Sequence, residues 1–348
     1  MIYPWQTDDW TRLEQLRASW PHALLLHGRA GIGKLQFAQH LAQSLLCETP
    51  TDTREPCGKC VACLWFSQGN HPDYRAVLPE ALAGELVNDE KADKADKVDK
   101  ADAEDGKKTK VLSKEIKIDQ VLGLMNFFSL GSHRGGLRVV LLYPAESINV
   151  FAANALLKTL EEPPAGVVFI LVTARIDRLL PTIISRCRQW PMTLPATEPA
   201  VAWLAQQGVE RPAAVLAEAG GAPLTALALA SDENRALRDF ALAQLAAGPA
   251  CDAFACGESL QKLPVPMVLG WLQRWLYDLL AQKTAGRPRY FPGASKALER
   301  CAAQIDTERF ARFQKTVTRQ RAVENHPLNA RLVFEELFLA YRDVFVVA

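Results

Sequence analysis

"GRAGIGKL", residues 28–35, governs the reading of the N-terminal half of the chain. Gly28, Gly33 and Lys34 fall on the anchors of the phosphate-loop pattern G-x-x-x-x-G-K-[ST], with Gly31 between them, and Leu35 breaks the last anchor. In such a loop the glycines let backbone N–H groups curl around a β-phosphate at the positive end of a helix. The lysine neutralises β and γ oxygens, and the Ser/Thr hydroxyl ligates Mg²⁺. Around it, "HALLLHG" (22–28) reads as a buried strand, and Phe37, Leu41, Ser44 and Leu45 keep helical spacing from Lys34 to Leu46. That strand–loop–helix context favours a phosphate loop over a glycine turn that merely precedes a lysine. Leu35, however, has no oxygen to offer a metal.

A phosphate-loop ATPase also needs acids at the end of a second strand, one for Mg²⁺ and one to orient water. The matching strand is "LRVVLLY" (137–143), and Tyr143 and Pro144 stand where Asp and Glu are needed. Glu146 lies past the strand end, beyond the proline. With both metal-organising elements missing there is no Mg²⁺ site, and hydrolysis is expected to be negligible. Lys34 and the glycine backbone could still hold a nucleotide weakly.

Working outward, "YRAVLP" (74–79) and "GVVFILVTA" (166–174) read as further strands. "IKIDQVLGLMNFFSL" (116–130) reads as a helix with Ile118, Val121, Leu122 and Met125 as its apolar stripe. "NVFAANALLKTLEEPP" (149–164) is a helix with Ala153, Leu156, Leu157 and Leu160 on one face, ended by its double proline. Strands alternating with helices predict an open parallel α/β sheet. Residues 88–110 repeat Lys, Ala and Asp with both charge signs and almost no apolar residue, so they are expected to be a disordered insert. After "SRCRQWPMTLP" (185–195) the strands stop. Residues 196–240 are alanine-rich and helical with a break at Gly220 and Gly221. The remainder reads as amphipathic helices, with stripes Leu272, Trp275, Leu276, Leu279 and Val333, Leu337, Ala340, Val344.

The chain has 348 residues, enough for two or three domains, and about half are hydrophobic, enough for real cores. The formal charge of +1 implies no strong field toward nucleic acid or membrane. Neither a signal peptide nor an apolar run long enough to span a bilayer is legible, so a cytoplasmic protein is expected. Its eight cysteines are then reduced thiols or metal ligands. Cys47, Cys57, Cys60 and Cys63 follow C-x9-C-x2-C-x2-C, a spacing that lets four sulfurs face one tetrahedral Zn²⁺. An iron–sulfur cluster would want a fourth cysteine before a proline soon after; "LWFSQGNHP" follows instead. Four thiolates leave no open coordination position. Cys47 also lies about 13 residues along the loop's helix, roughly 20 Å away at 1.5 Å per residue. The zinc is expected to be structural, or a recognition knob. Cys187, Cys251, Cys256 and Cys301 lack ligand spacing and read as core residues.

The phosphate loop, the four cysteines, "ANALLKTLEEPP" (153–164) and "SRC" (185–187), in that order, resemble the bacterial clamp-loader AAA+ subunits over essentially the whole chain apart from the insert. The departures at Leu35, Tyr143 and Pro144, with Leu224 in "GGAPLTAL" at the place of a sensor arginine, are those of a member with a degenerate ATP site. The resemblance implies an AAA+ α/β domain at 1–192, carrying the zinc module at 47–63 and the insert at about 84–112. A helical lid at 193–240 and an all-α oligomerising collar at 241–348 follow. It implies a five-subunit ring with gamma/tau and delta that loads the sliding clamp onto primed DNA. Arg186 of "SRC" is then an arginine finger reaching into a neighbour's ATP site, with Ser185 and Cys187 positioning the turn; on sequence alone it reads more readily as an ordinary surface arginine near a helix end. Thr173 sits where the family's first sensor sits. Glu161 and Glu162 face solvent or pair with Lys158 and argue against direct phosphate contact, so DNA contact is expected to be shared across the ring. Two other readings compete: a gamma/tau-like ATPase using Glu146 as a substitute acid, and a zinc-dependent DNA-binding module.

Overall fold

The computed structural model describes residues 2–82, 112–129, 131–133, 136–231, 233–322 and 329–346. The Lys/Asp/Ala-rich segment at 88–110 lies outside them. The chain divides into two compact units, Met1–Leu194 and Pro195–Ala348.

The first unit is built on five strands: β1 (Ala23–His27), β2 (Tyr74–Val77), β3 (Arg138–Leu142), β4 (Val167–Thr173) and β5 (Arg188–Pro191). They form one parallel sheet in the order β2-β3-β4-β1-β5. Its helices are α1 (Thr7–Glu14), α2 (Lys34–Leu46), α3 (Val61–Ser67), α4 (Ile118–Ser129), α5 (Val150–Glu161) and α6 (Pro181–Ile184). Parallel strands need crossovers, and helices on both faces leave the central strands no wet side. That is why β3 and β4 are buried at every position and read as unbroken apolar runs. Leu25, Val140, Leu142, Phe169 and Leu171 meet Leu156 and Leu160 of α5 and Val121 and Leu124 of α4 in one core. Each such side chain contributes about 1.5–3 kcal/mol by leaving water. Arg138 opens the buried strand because its guanidinium donates to the carbonyls of Phe127 and Phe128, at 3.0 and 2.9 Å. Those are the orphan acceptors at the end of α4.

Two local expectations are corrected. The face of α4 that is buried carries Val121, Leu124 and Phe127; Leu122 and Met125 are 49% and 42% exposed. The helix is apolar on more than one side, so spacing alone does not single out a face. Strand β5 was not expected, because only Trp190 of its four residues is buried. As an edge strand it pairs with β1 alone, and Trp190 anchors it by donating to Asp9 of α1 at 3.3 Å.

Among its described residues the second unit is built of helices, with one isolated antiparallel bridge between Ile305 and Phe345. Helices α7 (Thr197–Gln206), α8 (Pro212–Glu218) and α9 (Pro223–Ala230) enclose a small core of Ala200, Leu204, Leu216 and Ala226. Gly220 and Gly221 follow α8, both with positive φ. Then come α10 (Arg235–Ala246), α11 (Ala253–Leu260), α12 (Val265–Ala285), α13 (Ser295–Gln304), α14 (Thr307–Ala322) and α15 (Ala330–Arg342). Their core collects Leu272, Trp275, Leu276 and Leu279 of α12 with Phe334, Leu337, Phe338 and Tyr341 of α15. Helix α10 runs through residue 240, and Ala241 and Leu245 belong to this larger core. Cys251, Cys256 and Cys301 are buried in it, as core thiols should be.

Candidate functional site

Strand β1 ends at His27 and the chain turns sharply into the loop. The His27 carbonyl accepts the N–H of Met192 at 2.8 Å, which brings another backbone against Gly28. A Cβ on Gly28 would stand 2.2 Å from the Met192 carbonyl oxygen, at a φ of +150° that side chains rarely adopt. Gly28→Ala is therefore expected to destabilise the chain by about 2–4 kcal/mol, read as a lower midpoint in urea unfolding. Gly33 is the N-cap of α2 with φ +88°. Lys34 follows it and is buried, donating from Nζ to the Arg29 carbonyl at 2.6 Å. Burial draws its ammonium down to about 8, an effect the nearby Glu146 carboxylate opposes. His27 is held below its usual range by burial and by the Lys34 charge.

A segment that the sequence reading passed over covers this loop. Gln6 donates from Nε2 to the carbonyls of Ile32 and Gly33 at 3.0 and 2.9 Å, and Trp5 donates from Nε1 to Ile32 at 3.0 Å. The Tyr3 ring, stacked on Trp5 at 4.9 Å, lies against Gly33 so closely that a Cβ there would meet it at 2.5 Å. The only prior signal was "YPWQ", two aromatics and an amide close to the N-terminus. Nothing in its spacing names a target 26 residues away.

Tyr143 and Pro144 follow β3 as expected, without a carboxylate between them. Glu146 is better placed than its position past the strand suggested. A short turn at Ala145–Ser147 brings it back, so that its Oε1 accepts the N–H of Ala174 at 3.0 Å and its charge reaches Lys34. Thr173 ends β4 opposite His27 of β1, buried, with its hydroxyl accepting the N–H of Arg175 at 3.0 Å. Leu224 lies half-buried in α9 of the second unit.

The four cysteines converge. Cys47 ends α2, Cys60 caps α3 and Cys63 lies within it. All four sulfurs lie within 4.8 Å of one another, the one group of His, Cys, Asp or Glu among the described residues that could share a metal ion. The Cys47–Cys60 and Cys57–Cys63 sulfur separations are 3.9 and 4.0 Å. A tetrahedron of 2.3 Å Zn–S bonds has edges of about 3.8 Å, so the donor set fits zinc. Backbone N–H groups of Lys59 and Cys60 point at Cys57 Sγ at 3.4 and 3.3 Å. With the Thr49 hydroxyl they lower that thiol to about 6, while burial raises Cys47 and Cys63. Thirteen residues of α2 separate this cluster from the loop, roughly 20 Å.

Arg186 lies just beyond α6 on the surface. Its Nη2 donates to Glu161 Oε1 at 2.5 Å, and its Nη1 to the Thr182 carbonyl at 2.9 Å and Ser185 Oγ at 3.4 Å. The partner of Glu161 is thus Arg186, 25 residues away, and not Lys158 on its own helix. Cys187 is buried in the sheet core, where burial pushes its thiol up to about 12. Ser185 and Cys187 so flank Arg186 with one polar and one apolar anchor.

Residues 12–195 match the family model described as DNA polymerase III, delta subunit. The DNA polymerase III subunit delta' of Pseudomonas aeruginosa is 38% identical over 291 residues, 80% of this chain and 77% of that protein. The chain belongs to the DNA polymerase III delta' family. The delta' subunit of Escherichia coli is 32% identical over 287 residues, 80% of this chain and 76% of its own. A solved structure of a gamma subunit-related protein of DNA polymerase III from Thermotoga maritima is 16% identical, covers 96% of this chain and 98% of its own, and has a TM-score of 0.41. For this delta' family member, the residues singled out from the sequence fall in three places: the strapped loop, the cysteine cluster and the surface arginine.

Proposed function

We propose that the chain is the non-hydrolysing subunit of a clamp-loader ring, and that it supplies Arg186 in trans to a neighbouring ATPase. The observation that carries this is an asymmetry. The chain's own loop has leucine for the Mg²⁺ hydroxyl, Tyr143-Pro144 for the acids and a lysine that already donates to the Arg29 carbonyl, while a guanidinium stands on the surface at Arg186. A guanidinium brings a permanent charge and a planar fork that match phosphate oxygens, and fingers of this kind are worth large rate factors.

On this reading the first unit is an AAA+ domain, and the second comprises the lid and the collar that joins the ring. The partners are gamma/tau, delta, the sliding clamp and, through the complex, primed DNA. The relatives' names support membership of the polymerase III assembly. Zinc holds the four-cysteine module as a structural ion, and the cytoplasm is where these partners work.

The second reading, a gamma/tau-like ATPase, has one observation in its favour: Glu146 lies within electrostatic reach of Lys34. The two are separated by assaying the isolated chain with ATP and Mg²⁺. No turnover above background is expected, and ATPase activity with primed DNA is expected only after copurification with gamma/tau and delta. Steady Mg²⁺-dependent hydrolysis by the chain alone, abolished by Lys34→Ala, would give the second reading the case.

A further inference from the structure

We propose that Glu161 is the positioning residue of Arg186, an inference that rests on the reading of Arg186 as a trans finger. Glu161 is the last residue of α5 and its neighbour is Glu162. Carboxylates are disfavoured at a helix C-terminus, where the macrodipole is negative. Two adjacent ones there need a nearby cation, and the cation that meets Glu161 comes from another element, Arg186 beyond α6. The guanidinium is held from two sides. Glu161 takes Nη2, and the Thr182 carbonyl, one α6 turn back, takes Nη1.

A long arginine side chain left to itself spreads over many rotamers, and a finger so spread reaches its target geometry only a fraction of the time. The two contacts fix both the stem and the plane of the fork. They do so without consuming it, since a guanidinium has five N–H donors and those left over can meet a phosphate oxygen. The pair is half-open to water, its side chains 33% and 49% exposed. Its attraction is accordingly weak enough for the arginine to share itself with a more strongly charged anion. Sequence spacing hides the pair, because its members are 25 positions apart with a complete strand between them.

The test is made in the complex reconstituted with gamma/tau and delta, measuring ATP hydrolysis with primed DNA. Glu161→Ala is expected to lower kcat by roughly two- to fivefold, the scale of an exposed ion pair. KM for ATP should change little, because the finger acts on the transition state. Glu161→Gln keeps an acceptor oxygen without the charge and is expected to fall between. On an Arg186→Ala background, Glu161→Ala should produce no further loss, since the residue it positions is gone. An unchanged or faster rate in Glu161→Ala overturns the inference, as does a loss that simply multiplies in the double variant. Should Glu161→Ala fold poorly by thermal melting, the Glu161→Gln rate and its own double variant decide. If Arg186→Ala slows hydrolysis and the Glu161 variants do not, the positioning role alone falls. If Arg186→Ala itself has no effect, the finger reading falls and this inference with it.

Discussion

Arg186→Ala in the reconstituted clamp-loader complex is expected to reduce ATP hydrolysis at the adjoining site by about three orders of magnitude, the low end of what trans arginine fingers contribute. The chain itself should fold and assemble normally. Arg186 is on the surface, and its contacts with Glu161, Thr182 and Ser185 are exposed to water. Exposed pairs of this kind contribute about 0–1 kcal/mol to stability. Arg186→Lys should recover little, because a point charge on a flexible stem lacks the planar fork. The measurement is the steady-state ATPase rate with primed DNA, alongside size-exclusion chromatography to establish assembly. A wild-type rate in an intact complex would remove the finger role. A complex that fails to assemble would instead make Arg186 an interface residue.

Loss of the metal is expected to have the larger effect on stability. One zinc per chain should be found by elemental analysis, with no iron or labile sulfide. Cys63→Ser, which replaces a buried sulfur of α3, is expected to abolish it. Helix α3 has seven residues, far too short to hold itself in water, and the stretch between α2 and α3 has no regular structure. Its four sulfurs converge closely enough to share one ion, and that ion is expected to organise it. Chelation or Cys63→Ser should therefore melt the module locally, at a cost on the order of 3–5 kcal/mol. Amide exchange at 47–70 would rise first, while β1, β3 and β4, buried through the sheet core, keep their protection. Acid acts in the same direction, because protons compete with the metal for thiolates. Zinc occupancy should fall as pH falls. Retention of full zinc and unchanged exchange in Cys63→Ser would rule out the four-sulfur site.

The parallel sheet, the loop and the clustering of the four cysteines were legible in the sequence for distinct physical reasons. Strands covered on both faces must be apolar throughout, so "LRVVLLY" and "GVVFILVTA" announced themselves. Thiolates that share an ion need short spacings, and two of the three intervals are of two residues. The buried face of α4 was misread because its apolar residues surround the helix, and packing against α5 and the sheet chose among them. The edge strand β5 was missed because an edge position asks for one buried residue and tolerates polar ones.

What the sequence by itself determined is which chemical groups stand at the loop and at the end of the second strand. Leu35 carries no hydroxyl and Tyr143-Pro144 no carboxylate in any fold, so what these positions can offer a metal follows from covalent identity. What only the tertiary structure decided is which groups meet across long separations: Gln6 and Trp5 strapped to Ile32 and Gly33, Glu146 turned back toward Lys34, and Glu161 holding Arg186. Such pairs are set by where the sheet and its crossovers bring the chain back together. A single polar contact leaves no period in the sequence, because neither partner is constrained by its own neighbours along the chain.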